Sequence, residues 1–236
     1  MDKVAGVGEV GRVVGLWRYP VKSMAAEALS SVEVGWAGLA GDRRWGFVRG
    51  DVPRSGFPWM TIREDAAMLE HVPRFVEPGQ PDKSRVMVRT PSGSEHDVVD
   101  PALAASLGDG VRVIKQDRGV FDAMPLSLIT TRSIAELGAL VGSELVPQRF
   151  RPNLLVESDE REDAWVGRVL RIGGMAMRVD QRDDRCVIIT IDPVTHERDP
   201  AVLRTVARER SNCIGVYGST VQEGRVAVDD EVVLND

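Results

Sequence analysis

The sequence predicts a mainly β protein with a few short helices, an α+β chain, and three observations carry that prediction. Short segments that alternate apolar and polar residues, or run β-branched, recur along the whole length. Gly173-Gly174 joins Val169-Leu170-Arg171-Ile172 to Met175-Ala176-Met177-Arg178-Val179, and paired glycines supply the positive φ of a tight hairpin. Only two segments combine a helix start signal with an apolar helical face, one after Thr131 and one after Asp199-Pro200.

The 236 residues suffice for one large domain or two small ones with a sizeable core. With 43% hydrophobic and 28% charged residues the composition is that of a globular protein, and no apolar run approaches the roughly 18 residues of a membrane span. Neither a membrane nor a nucleic acid is an expected partner, since a net charge of −6 does not provide the basic face that phosphate backbones require. The N-terminus lacks a basic segment followed by an apolar one, so it does not read as a secretory signal and a cytoplasmic location is expected. The two cysteines, Cys186 and Cys213, then read as reduced thiols.

Taken in order, Gly6-Val7-Gly8-Glu9-Val10-Gly11 satisfies G-x-G-x-x-G, but a dinucleotide loop must follow a strand and open a helix. Here Arg12-Val13-Val14-Gly15-Leu16-Trp17 continues as a strand, which excludes that function. Tyr19-Pro20-Val21-Lys22-Ser23 ends it, proline stopping the ladder and leaving Lys22 and Ser23 exposed as an anion contact; a solvated surface lysine is the plainer explanation. Residues 29–36, the turn 38–42 and residues 43–48 read as a hairpin, with Arg43 and Arg44 on opposite faces. Residues 57–64 read as strand and 66–69 as a short helical piece. Residues 72–85, with three prolines, read as a loop. Val86-Met87-Val88 and Asp97-Val98-Val99 form a further hairpin, 102–107 one or two helical turns, and 111–115 a strand. The polar segment 116–123 sets a boundary near 120, giving domains over 8–120 and 121–236.

In the second half, 125–131 reads as a strand running into Ser133-Ile134-Ala135-Glu136, a capping box for a helix with Ile134, Leu137, Leu140 and Val141 on one face and Gly142 at its end. Thr130 and Thr131 stand at that strand-to-helix junction, where amides and hydroxyls can hold an anion, although capping explains them equally well. Residues 149–156 read as a strand with Arg151 and Asn153 on one face, either a clamp for a polar ligand or a surface ion-pair site. Asp199 and Pro200 open a helix bearing Val202, Leu203 and Val206, and 213–217, 225–228 and 232–234 close the chain as strands.

Arg182-Asp183-Asp184-Arg185-Cys186 runs into Val187-Ile188-Ile189-Thr190-Ile191 and stops at Asp192-Pro193, which places the Cys186 thiol at the first residue of a buried strand. A sulfur fixed in that way suits a soft metal; the flanking arginines favour the thiolate, while Asp183 and Asp184 oppose it. A buried core cysteine satisfies the same pattern.

Four motifs in order, Tyr19-Pro20-Val21-Lys22-Ser23, Gly41-Asp42-Arg43, Arg149-Phe150-Arg151-Pro152-Asn153, and Arg185-Cys186 followed by Thr190-Ile191-Asp192-Pro193, resemble the MOSC family, the molybdenum-cofactor sulfurase C-terminal domains. The resemblance covers nearly the whole chain and implies an N-terminal MOSC β-barrel domain followed by a MOSC-type β-barrel core, the pair found in the mitochondrial amidoxime-reducing component and bacterial relatives. It implies the molybdenum cofactor, molybdopterin with its metal, bound through one protein thiolate that falls on Cys186. Lys22, Ser23, Arg43, Thr130, Thr131, Arg151 and Asn153 would meet the pterin and its phosphate. Arg185 would stand beside the metal, Tyr217 near the cofactor by a looser match, and Asp184 close enough to tune protonation or simply cap the turn. Cys213 matches no ligand position.

The implied reaction is two-electron reduction of a small N-hydroxylated compound with cleavage of N–O. Some relatives append an iron–sulfur domain with closely spaced cysteines that this sequence lacks, so electrons are expected from a separate ferredoxin- or flavoprotein-type partner. A second class of function is a non-catalytic carrier of the cofactor, or of sulfur on Cys186. A third, zinc held by Cys186, Cys213 and His196, lacks zinc-site spacing.

Overall fold

The computed structural model describes residues 8–51 and 57–235. Its strands are β1 (Gly8–Arg18), β2 (Glu27–Ala28), β3 (Ser31–Gly35), β4 (Gly38–Leu39), β5 (Trp45–Val48), β6 (Val72–Phe75), β7 (Val86–Arg89), β8 (Glu95–Asp97) and β9 (Arg112–Lys115). They continue with β10 (Leu126–Thr130), β11 (Leu154–Glu157), β12 (Val169–Ile172), β13 (Met175–Asp184), β14 (Cys213–Gln222), β15 (Gly224–Ala227) and β16 (Glu231–Asn235). Three α-helices interrupt them, α1 (Pro101–Leu107), α2 (Thr131–Val141) and α3 (Pro200–Arg210). The described residues are therefore mostly β, as their alternation predicts. No helix of the described residues is long and apolar enough to cross a membrane.

The chain divides into two compact units, one from the segment up to Trp17, Ala28–Leu39 and Ala123–Asp236, the other from Arg18–Glu27 and Ala40–Asp122. In the larger unit the strand order β11-β10-β14-β13-β12-β16-β1 returns to β11 through a direct β1–β11 pairing, which closes a seven-stranded barrel; β2 adds beside β1. Closure rests on β1. Its first part pairs antiparallel with β16 and its later part with β11, and the register shifts between Glu9 and Gly11 and between Val13 and Gly15. A Cβ on Gly11 would lie 2.3 Å from the Glu157 carbonyl oxygen, so glycine lets the bulged strand turn the corner. Gly8 to Gly11, four of the six residues of the apparent dinucleotide motif, belong to this strand, and Gly6 and Val7 lie outside the described residues. Leu154, Val156, Leu170, Ile172, Met177, Val179, Val216 and Val232 are fully buried.

The β12–β13 hairpin turns at Gly173 with φ +56, as its sequence requires. Asp199 caps α3 by accepting from the Ala201 amide, with Pro200 at the start. Helix α2 begins earlier than its capping box suggests. Thr130 is the cap, its hydroxyl accepting from the Ser133 amide, while the Glu136 carboxylate takes Arg132 and Arg210. Gly142 ends α2 in the left-handed region, and Leu140 on the expected apolar face is 52% exposed.

In the smaller unit, Val21, Met24, Phe47, Met60, Met68, Phe75, Val86, Val88, Val98 and Leu103 form the core. Three expectations for the first half of the chain change. Residues 29–48 are not one hairpin: β3 turns through Gly38 onto β4 and pairs with β15, whereas β5 pairs with β9. Gly38, Gly41 and Arg43 all have positive φ, and these three left-handed positions redirect the chain between the two strands. Val72–Phe75, expected as loop, is strand β6 paired with β7, and Pro73 is tolerated because β6 is the edge of a three-stranded sheet. Residues 57–64, expected as strand, contribute only a bridge from Trp59 to Val48.

Candidate functional site

Cys186 stands where β13 ends, and the chain after it does not continue as the buried strand its β-branched residues suggest. Val187–Thr190 form a 3-10 turn with Cys186 as its first, extended residue. The Cys186 carbonyl accepts from the Ile189 amide at 3.3 Å, and the Thr190 hydroxyl donates to the Val187 carbonyl at 2.7 Å. Tertiary contacts override strand propensity here, burying Ile189 and Ile191 and leaving Val187 exposed. Cys186 is half-buried, whereas Cys213 is buried.

Hydrogen bonds fix the backbone on both sides of Cys186. On the near side, the Arg185 amide donates to the Asn212 carbonyl and the Asn212 side-chain amide donates to the Arg185 carbonyl, at 2.8 and 2.9 Å. The Arg185 guanidinium donates through Nε to the Ile214 carbonyl (2.7 Å) and through Nη1 to the Phe150 carbonyl (2.9 Å), and its Nη2 pairs with Asp183 at 2.8 Å. On the far side, Arg149 donates to the Ile189 carbonyl and pairs with Asp192 at 2.6 Å. Burial pushes the Asp192 carboxyl up, but the Thr195 and Val194 amides and Arg149 outweigh it and hold the group below the usual range. Arg149 and Arg185 thus staple segment 149–150 to the Cys186 turn in both directions.

Gly215 makes room for Arg185. It has φ +83, and a Cβ there would stand 2.7 Å from Arg185 Nη2. Its amide donates to Glu162 Oε1 at 2.7 Å, while Glu162 Oε2 accepts the Thr130 amide and hydroxyl at 3.1 and 2.6 Å. Thr130 is fully buried in this network and Thr131 is half-buried as the first residue of α2.

Arg151 and Asn153 are not neighbours on one strand face. Pro147–Phe150 form a 3-10 turn, Arg151 follows it in the left-handed region with φ 53, and β11 begins only at Leu154. Asn153 is 1% exposed; its Oδ1 accepts from the Ser127 amide and hydroxyl, and its Nδ2 donates to the Trp17 carbonyl. Tyr217, half-buried in β14, lies opposite Ser127. Asp184 is exposed, and its Oδ1 accepts from the Cys213 thiol at 3.0 Å. Glu162, Asn212 and Gly215 are not singled out by sequence, and Arg149 only as the first residue of a motif, although a glycine inside an apolar strand is a recognisable sign of close approach.

Lys22, Ser23 and Arg43 belong to the smaller unit. Lys22 and Ser23, expected as exposed, are 4% and 5% exposed. The Lys22 ammonium donates to the Val120 carbonyl at 3.2 Å and pairs with Asp122 at 2.6 Å. Arg43 pairs with the buried Asp42, and its guanidinium lies over the Tyr19 ring at 4.5 Å. Arg44 pairs with Asp82 at 3.0 Å.

The two thiols differ chemically. Burial, followed by the Asp184 carboxylate, pushes Cys213 from 9.0 up to about 11. At pH 8 its thiolate population is expected to be about a hundred-fold below that of an ordinary thiol. Iodoacetamide at that pH should therefore label Cys186 in the folded protein and reach Cys213 only on unfolding, as peptide mass spectrometry would read; equal labelling would contradict the assignment. Because the folded value lies above the unfolded one, the stability that the Cys213 proton contributes is complete below pH 9 and is lost as pH rises toward 11.

Among the described residues no group of three or more His, Cys, Asp or Glu side chains could hold a metal ion, so zinc held by Cys186, Cys213 and His196 has no ligand set here. A metal at Cys186 would take its other ligands from the group that brings it, and a half-exposed thiol on a fixed backbone fits that requirement.

Family models match both parts of the chain. One described as the MOSC domain covers residues 115–233, and one described as the MOSC N-terminal beta barrel domain covers residues 10–116. A molybdenum cofactor sulfurase of Drosophila mojavensis is 28% identical over 51% of this chain and 18% of its own length. Mitochondrial amidoxime reducing component 2 of Macaca fascicularis is 27% identical over 47% of this chain and 37% of its own. The chain thus spans well under half of these relatives. The crystal structure of the YUAD protein from Bacillus subtilis superposes with a TM-score of 0.56 at 13% identity, covering 97% of this chain and 98% of that one, a likeness of fold alone.

Proposed function

The chain belongs to the MOSC domain family, and from that premise we propose that it binds the molybdenum cofactor and reduces N-hydroxylated compounds by cleaving N–O. The observation that carries the reading is Cys186, a half-exposed thiol whose backbone is fixed on one side by Asn212 and Arg185 and on the other by Arg149. When bound, the cofactor supplies a metal centre that exchanges two electrons and accepts oxygen.

This chain's residues supply the rest. Cys186 is the proposed single protein ligand. Arg185 acts mainly as a positioning residue, because its guanidinium is spent on two carbonyls and on Asp183. Asp184 Oδ1 holds the Cys213 proton close in sequence to the ligand thiol, which makes Asp184 the proposed proton-handling group. Thr131, Arg151 and Tyr217 are assigned to the pterin. Thr130 and Asn153 act through the backbone they brace, and Lys22, Ser23 and Arg43 are assigned to the phosphate. Electrons are assigned to a separate ferredoxin- or flavoprotein-type protein, and the compartment to the cytoplasm.

A carrier of cofactor or sulfur is the second reading, favoured by the exposure of Cys186 and by relatives named molybdenum cofactor sulfurase. The test is molybdenum content by plasma mass spectrometry after co-expression with cofactor biosynthesis, comparing wild type with Cys186→Ala. Stoichiometric metal in the wild type, lost or inert in the variant, is expected, with turnover of a hydroxylamine or amidoxime once an electron donor is added. Cofactor or persulfide on Cys186 without turnover would select the carrier reading, and a folded protein with neither would overturn both.

A further inference from the structure

Three carboxylates flank Cys186 along the chain, and they are treated differently. Asp183 pairs with Arg185 at 2.8 Å and Asp192 with Arg149 at 2.6 Å, whereas Asp184 forms no ion pair among the described residues. Asp183 and Arg185, two residues apart, meet on one side of the chain. Side chains alternate along extended backbone, and Cys186 is itself extended with φ −121 and ψ −176, so Asp184 and Cys186 share the other side. The register agrees, because Asp184 stands opposite Cys213 and its Oδ1 accepts from the Cys213 thiol at 3.0 Å. That bond occupies one oxygen with a neutral donor. Oδ2 accepts from no other described residue, and Asp184 is exposed. The remaining cation of the segment, Arg182, is half-buried and directs Nη2 to the Arg210 carbonyl at 2.6 Å, at the end of α3.

An unpaired carboxylate on the thiol's own side acts on whatever approaches the sulfur. Two residues of extended chain span about 7 Å, inside the roughly 8 Å over which physiological salt screens a charge. We propose that Asp184 selects the ligands of Cys186 by charge, favouring organic cations over anions, so that the preferred substrate is an N-hydroxylated compound bearing an ammonium or guanidinium group near its N–O bond. The two oxygens of Asp184 then divide the work: Oδ1 keeps the Cys213 thiol and Oδ2 faces the incoming cation. Arg185 does not cancel this field, since its charge is matched by Asp183 on the opposite side. Only the N-hydroxylated nature of the substrate rests on the proposed function; the charge selection is tested without it.

The probes are two methanethiosulfonates of similar size, one ending in trimethylammonium and one in sulfonate. Each forms a mixed disulfide with a thiolate and releases methanesulfinate. They are applied to the cofactor-free chain at fixed ionic strength, and peptide mass spectrometry follows the rate at Cys186. The ratio of the two rates cancels the thiolate population, which a change at Asp184 also shifts. Asp184→Asn, which keeps an oxygen for the Cys213 thiol, is expected to lower the cation-to-anion ratio at least about five-fold, because one charge acts with opposite sign on the two reagents. Asp184→Lys should lower it further. Glu33→Gln controls for net charge: Glu33 is exposed on β3, which meets β14 at Thr220, toward the end of that strand away from Cys213, and its ratio should stay within about two-fold of wild type. Thermal melts confirm that each variant is folded. An unchanged ratio in Asp184→Asn would overturn the proposal, as would an equal fall in Glu33→Gln. In cofactor-loaded enzyme, Asp184→Asn should raise KM for a cationic hydroxylamine more than for its neutral isostere. A ratio that falls as expected, in a protein that reduces no N-hydroxylated compound, would uphold the charge selection and reject the substrate.

Discussion

Glu162→Ala is expected to lower the unfolding free energy by about 3 kcal/mol or more, among the largest effects of any single substitution in the larger unit. Glu162 is 1% exposed, and its two oxygens accept three donors, the amides of Thr130 and Gly215 and the Thr130 hydroxyl. Deleting the carboxylate orphans two buried amides, and each unsatisfied donor costs roughly 1–3 kcal/mol. Glu162→Gln should fall between wild type and alanine, because its oxygen can serve one side of the network while its NH2 faces a donor on the other. Urea denaturation checks this through the midpoint at constant slope. A loss below about 1 kcal/mol for alanine would mean that water replaces the carboxylate, and Glu162 would then not hold Gly215 against Arg185.

How much of this was legible in the sequence divides along the range of the interactions. The Gly173-Gly174 hairpin, the Asp199-Pro200 helix start and the Gly142 stop are set by local chemistry, and all three stand in the structure. The turn after Cys186 departs from the expected strand because Val187, Ile188 and Ile189 favour a strand in isolation, whereas Arg149 from a distant segment holds the Ile189 carbonyl in a 3-10 turn. Asn153 carried the signature of a ligand clamp, but pairing with Ser127 and Trp17 turns its amide into a brace inside the barrel. Lys22 showed the opposite error: nothing local announces that Asp122, far along the chain, meets it. Barrel closure was out of reach for the same reason, since it depends on one bulged strand pairing with both β11 and β16. The charged residues proposed for the site are legible in the sequence by type and order, while their partners, which decide what each does, are not.

Those partners make Arg185 the position where architecture and chemistry are hardest to separate, and a double-mutant cycle separates them. Arg185→Ala is expected to cost about 3–5 kcal/mol, the range for removing one member of a buried ion pair, because Asp183, only 2% exposed, loses its guanidinium and the Phe150 and Ile214 carbonyls lose their donors. Adding Asp183→Asn to the same chain removes the carboxylate that faced the guanidinium and should recover at least about 1.5 kcal/mol, a coupling typical of contacting residues. Arg185→Lys should not rescue, since one ammonium cannot reach three acceptors that a planar fork spans. Guanidinium denaturation of the four chains of the cycle, with Arg185→Lys beside them, gives the coupling directly. If Asp183→Asn recovers nothing, the loss in Arg185→Ala comes from the two carbonyl bonds and from packing against Phe150, with the ion pair incidental. If it recovers most of it, the charge balance of the Arg185–Asp183 pair governs how firmly the Cys186 turn is held, and the double variant becomes the background in which to ask whether that turn needs the guanidinium for its chemistry or only for its shape.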